Sequence, residues 1–189
     1  MTNGQSSFIR RGVRRALAAS GIVAAILYGW WQTIEDARIS DLPEAKPGSP
    51  LALGRVVLTP LSLQLRSASP GEAQTQLVLS AKMENVTGET QFASFGNPFR
   101  LITVEADEIT LGSPEITLLR DHQTLHQLQP RMTEDVEIAW QAPKGWQPGE
   151  LSLTFFRQQF KLKDNLYGRS SWLGYSAAAS MTATPEPAP

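Results

Sequence analysis

Two histidines, His122 and His126, stand four positions apart in "DHQTLHQ", and they are the only imidazoles in the chain. On a helix that spacing would put both rings on one face, where they could share a metal ion with Asp121 or Glu134. The flanking residues alternate as in a strand, however, and there such a pair sits about 13 Å apart, too far for one ion. "VEADEI" groups three carboxylates, Glu105, Asp107 and Glu108, that could hold calcium. A calcium cage wants about six to eight oxygens fixed by a glycine-rich turn, which this stretch lacks. It reads instead as an acidic hairpin tip that keeps a sheet edge soluble. "YGRSSWLGY" sets Ser170 and Ser171 between glycines, yet neither G-x-S-x-G nor S-x-x-K occurs, and nothing marks either histidine as their base. No catalytic residue, metal ligand or cofactor is therefore assigned, and the protein is expected not to be an enzyme.

Two further stretches bear on recognition. Asn85-Val86-Thr87 is an N-glycosylation sequon, of consequence only in a eukaryotic secretory pathway. Trp146 lies in the turn-like "PKGWQPGE", where a large aromatic either covers the end of a core or meets a partner. Covering is the preferred reading and partner contact the alternative.

The elements that must carry these residues have a period of two. In "PLSLQLR" Leu61, Leu63 and Leu65 alternate with Ser62, Gln64 and Arg66, and in "QLVLSAKME" Leu77, Leu79, Ala81 and Met83 oppose Val78, Ser80, Lys82 and Glu84. "EDVEIAW" and "ELSLTF" repeat the pattern with Val136, Ile138 and Trp140, then Leu151, Leu153 and Phe155. One wet face per strand predicts antiparallel strands on a single core. "GRVVLT", "FRLITVEA", "EITLLRD" and "FKLK" are weaker candidates, punctuated by "SPGE", "NVTGE", "FGNP", "LGSP" and "QPGE". The expected fold is an all-β, antiparallel, immunoglobulin-like β-sandwich over residues 51–181. Apolar parity flips between Phe155 and Phe160, which predicts a bulge or turn near Arg157–Gln159. "WLGYSAAASM" fits either a last strand or a short helix.

Ahead of the sandwich, Ala16 to Ile34 is a run of 19 residues without charge. As a helix it would be about 28 Å long, close to the hydrocarbon thickness of a bilayer. Arg10, Arg11, Arg14 and Arg15 flank one end, and Tyr28, Trp30 and Trp31 mark the other, where amphipathic rings favour the headgroup layer. The bulky "YGWWQTIED" offers no small-residue cleavage site, and the absence of cysteine excludes a lipidated anchor. A permanent single-pass anchor over 16–34 is expected, with residues 1–15 cytoplasmic and the remainder periplasmic or otherwise extracytoplasmic. Gly21, Ala25 and Gly29 recur every four residues along one face, a spacing that lets a second helix approach, whether a copy of this one or a transporter helix. "SDLPEAKPGSP", within 35–50, reads as an extended linker, and residues 182–189 as a disordered tail.

The chain holds 17 basic and 18 acidic residues. Four of the arginines precede the anchor, so the exported part is mildly acidic and carries no basic stripe for nucleic acid. The succession "LVLSAKMENVTGE", "LQPRMTEDVEIAWQAP" and "KLKDNLYG" followed by a tryptophan resembles uncharacterised bacterial envelope proteins. Those combine one N-terminal anchor with an immunoglobulin-like exported domain. The resemblance implies an integral protein of the bacterial inner membrane and assigns no functional residue. A binding or scaffold module with a protein partner in the envelope is the leading expectation. An accessory subunit of a transporter or of a lipid or polysaccharide export machine is the alternative.

Overall fold

A computed structural model of the chain describes residues 25–31, 42–67, 75–95, 99–106, 109–143, 146, 148–163, 168 and 170–187. They fall into two units, residues 1–41 and 42–189, each taken by itself. In the first, 25–31 is helical, with Tyr28, Trp30 and Trp31 exposed. The rest of the expected anchor, including Gly21 and the four arginines, lies outside the described residues. Among those described, no helix is long and apolar enough to cross a membrane.

The second unit is a mostly antiparallel β-sandwich. Its strands are β1 (Leu51–Ala52), β2 (Val56–Ser67), β3 (Thr75–Asn85), β4 (Gln91–Phe92), β5 (Ile102–Ala106), β6 (Ile109–Thr110) and β7 (Glu115–Leu118), followed by β8 (Gln127–Leu128), β9 (Thr133–Ala142), β10 (Leu151–Lys161), β11 (Ser171–Ala183) and β12 (Glu186–Pro187). One sheet runs β1-β2-β3-β9-β7 with β12 also on β2, the other runs β11-β10-β5-β6, and β4 pairs with β8. The alternation seen in sequence sets the registers: Leu77, Leu79 and Ala81 stand opposite Trp140, Ile138 and Val136. These join Leu151, Leu153 and Phe155 of the facing sheet in one buried cluster. A one-residue slip of any of these strands would turn its apolar set to water, so the core itself holds the register.

Two strands break their period, and both breaks have a physical cause. Leu61 was expected inward with Leu63 and Leu65. Pro60 has no N–H for the ladder, the pairing with β3 skips a residue between Pro60 and Ser62, and the bulged Leu61 turns outward. In β10 the register shifts between Phe155 and Phe156 and again between Gln158 and Gln159, which accounts for the parity flip. "WLGYSAAASM" is strand throughout, paired to β10.

The segments read as linker and tail do structural work. Pro43–Ala45 lies along β11: the Ala45 N–H donates to Ser180 O (2.7 Å), and the Ser180 N–H to Pro43 O (3.1 Å). Gly48 N–H donates to Pro60 O at 2.7 Å. Beyond the last long strand, Glu186 and Pro187 pair in parallel with Gln64 and Leu65. The outer edge of β2 is thus covered by β1, Gly48 and β12 in turn, and that of β7 by residues 123–125. Proline and glycine exclude helix and central strand, but they permit this short edge pairing, which blocks strand addition from another chain.

A fragment of residues 42–189 should therefore be more stable than one of residues 51–189. The difference should be about 2–4 kcal/mol, from three lost backbone hydrogen bonds and the newly exposed apolar surface that buried Ala45 covers. Urea denaturation of the two measures it, and equal midpoints would return 42–50 to the role of a spacer.

Candidate functional site

The site begins at the tight turn between β1 and β2, "LGRV". Gly54 has φ +93, and a Cβ there would stand 2.5 Å from the Gln158 carbonyl oxygen. Only glycine lets the turn come this close to β10. The approach is locked by the Gln158 N–H, which donates to Leu53 O at 3.2 Å. Arg55 is consequently held against β10, its Nε donating to Gln158 Oε1 (2.6 Å) and its Nη1 to Gln91 Oε1 (2.9 Å). Its guanidinium lies 5.9 Å from the centroid of the Trp172 ring, within range of a cation–π contact.

Trp172 in turn sits directly opposite Phe160 in the β10–β11 ladder. Their ring centroids are 5.1 Å apart at 58°, a tilted pairing that aromatic quadrupoles favour. Gly174, at φ +54, is the extra residue of the bulge beside them, and the next residue, Tyr175, stands opposite Gln158. The Tyr175 hydroxyl donates to Phe95 O at 2.6 Å. Burial pushes its pKa above the ordinary tyrosine value, against the opposing pull of Arg55 and Arg100.

The opposite wall is organised by Asn85, which is buried at the end of β3. Its Nδ2 donates to Glu89 O (2.8 Å) and Leu128 O (2.9 Å), and its Oδ1 accepts from the Thr87 N–H (2.9 Å) and hydroxyl (2.8 Å). With Nδ2 committed to two carbonyls in the interior, the sequon cannot be glycosylated in the folded protein. Asn85 O also accepts the Arg131 N–H at 2.9 Å, fixing a turn in which Arg131 takes φ +61. Gln91 completes the wall, with Nε2 donating to Thr87 Oγ1 at 3.0 Å.

Between these walls lies a cleft of about 700 Å³, lined by Phe160 and Trp172 on one side and Thr87, Glu89 and Arg131 on the other, with Ser170 and Ser171 at its margin. Phe160 is 51% exposed. Arg66, Lys82 and Arg120 each face a carboxylate, whereas Arg131 has no ion-pair partner among the described residues. Neither histidine lines the cleft, so Ser170 and Ser171 meet no imidazole there. The cleft can stack an apolar face against aromatic rings while offering both donors and acceptors to its rim.

The other residues singled out in sequence are scattered. Trp146 is 8% exposed within the core cluster, its Nε1 buried and without a partner among the described residues, so it covers the core. His122 is exposed in the turn after β7, and exposed His126 borders a separate cleft of about 580 Å³ next to Phe92. Glu105 is exposed in the β5–β6 hairpin, while Asp107 and Glu108 lie outside the described residues. Among the described residues no group of three or more His, Asp or Glu side chains could hold a metal ion. Sequence reasoning missed Arg55, Gln91, Arg131, Phe160 and Trp172. The one local hint was a glycine before an arginine at a strand start.

No family model matches the chain, and no curated protein matches it. Among solved structures it is similar to an uncharacterised β-sandwich protein from Clostridium difficile 630. The identity is 14% over 75% of this chain and 94% of that one, with a TM-score of 0.48.

Gly54→Ala should cost about 2–3 kcal/mol, because the added methyl meets a backbone oxygen in a left-handed conformation. Gly88→Ala on the opposite wall, where an added Cβ meets nothing within 4 Å, should stay within about 0.5 kcal/mol of the parent. Equal chemical-denaturation midpoints for the two variants would mean that the turn tolerates a side chain and does not set the position of Arg55.

Proposed function

We propose that this chain is a single-pass protein of the bacterial inner membrane whose exported sandwich is a non-catalytic binding module, with the Phe160–Trp172 cleft as its recognition surface. One observation carries the binding reading. Trp172, one ring of the aromatic pair, lies against an arginine that is itself fixed by hydrogen bonds to Gln158 and Gln91. Such a surface is organised before any ligand arrives, which lowers the entropy lost on binding. The fold reading is immunoglobulin-like. β2-β3-β9-β7 facing β11-β10-β5 follows the A-B-E-D and G-F-C strand orders of that class. In such folds recognition is commonly placed on loops at the sandwich ends.

The membrane reading rests on residues 16–34 and their flanks. Arg10, Arg11, Arg14 and Arg15 on one side, and Tyr28, Trp30 and Trp31 on the other, orient the N-terminus toward the cytoplasm. Alkaline phosphatase fused after Pro189 should be active in cells. Fluorescence from a reporter that matures only in the cytoplasm, fused at the same place, would refute the orientation.

Binding itself is tested by photocrosslinking in living cells. A benzophenone side chain installed at Ser170 should give a discrete adduct, and one installed at exposed Thr110 on β6 should not. Adducts at Thr110 with none at Ser170 would remove the cleft as the recognition surface.

A further inference from the structure

We propose that the cleft takes a neutral oligosaccharide, stacking the C–H face of a pyranose on the Phe160–Trp172 pair and hydrogen-bonding its hydroxyls to Arg131 and Glu89. The inference rests on the cleft being the recognition surface and adds the chemical class of the ligand.

The lining selects among ligand classes. A pyranose is amphipathic in a particular way, with axial C–H bonds making an apolar face and hydroxyls around the rim that both donate and accept. The cleft repeats that division: a half-exposed ring pair for the face, then a guanidinium donor and a carboxylate acceptor for the rim. Neighbouring hydroxyls of a sugar match the forked donors of arginine and the paired oxygens of a carboxylate.

Other classes fit less well. Among the described residues, Arg131 and Glu89 are the ionisable ones lining the cleft, and their charges cancel. Arg55 is already committed to Gln91 and Gln158. A phosphate or polyanion would therefore meet the Glu89 carboxylate beside Arg131, and would gain from Arg55 its charge but not the donors already engaged. A wholly apolar ligand would strip water from Arg131 and Glu89 with nothing in return. Proline-rich peptides dock in grooves between aromatic rings, but Phe160 and Trp172 contact each other at 5.1 Å and leave no slot between them.

The test uses the full-length chain in detergent, titrated with chitohexaose, maltohexaose and cellohexaose while tryptophan fluorescence and calorimetry are followed. Oligogalacturonate and decaproline serve as the competing classes. At least one neutral hexasaccharide should saturate, with an affinity that changes less than about twofold between low and high salt, because no net charge is exchanged. Phe160→Ala and Arg131→Gln should each weaken that binding about tenfold, the loss of one strong contact. Both residues are exposed, and Phe160→Leu, which keeps bulk and removes the ring, separates a stacking loss from a folding loss when melting temperatures are matched.

Saturation by decaproline or oligogalacturonate alone would overturn the glycan assignment, and so would failure of all three sugars. The Ser170 photo-adduct tells the two levels apart. An adduct without sugar binding keeps the module and removes the glycan, whereas no adduct and no sugar binding removes both.

Discussion

The contact on which the rest of the aromatic cleft depends is the approach of the Gly54 backbone to the Gln158 carbonyl. It joins the first turn of one sheet to the bulged strand of the other at a distance only glycine tolerates. From that contact a chain of consequences follows. The turn presents Arg55, Arg55 engages Gln158 and Gln91, and its guanidinium lies against Trp172. Trp172 then contacts its ladder partner Phe160, and the ring pair becomes a fixed platform. Charge, hydrogen bonding and aromatic contact act in series here, and each is weak unless the one before it is in place.

Asn85 plays the corresponding part on the facing wall. Its amide bonds with Glu89, Leu128 and Thr87, and its backbone groups bond with Arg131 and Met132, which binds the ends of three chain segments around one buried side chain. A buried amide is costly unless satisfied. Its full set of partners therefore means that the loop after β3 and the turn before β9 take their shape together. Arg131 gains its left-handed conformation, and hence its place at the cleft, from this arrangement.

Edge protection is the second theme of the fold. The outer side of β2 is covered by three short pieces from both ends of the unit, and β11 is partly covered by residues 43–45. The two bulges that interrupt the β10–β11 ladder twist the remainder of that strand away from a flat template. The aromatic cleft, by contrast, is where described side chains of mixed chemistry converge.

The strands and the inward residues were legible in sequence because their signal is local. Alternation in "QLVLSAKME", "EDVEIAW" and "ELSLTF" states which face is apolar without reference to any neighbour, and the parity flip after Phe155 announces its bulge. Leu61 was misread because the bulge beside it comes from a missing proline N–H in the ladder, a property of the pairing. Residues 42–50 and 182–187 were misread for a related reason. Composition says what a segment cannot form by itself, but not which open edge waits for it. The cleft was not legible at all. Its residues come from positions 55, 87–91, 131, 160 and 170–172, and none of these stretches alone carries a binding pattern. Strand register and one close backbone approach bring them together, and both are set by the packing of two sheets that meet only in the folded chain.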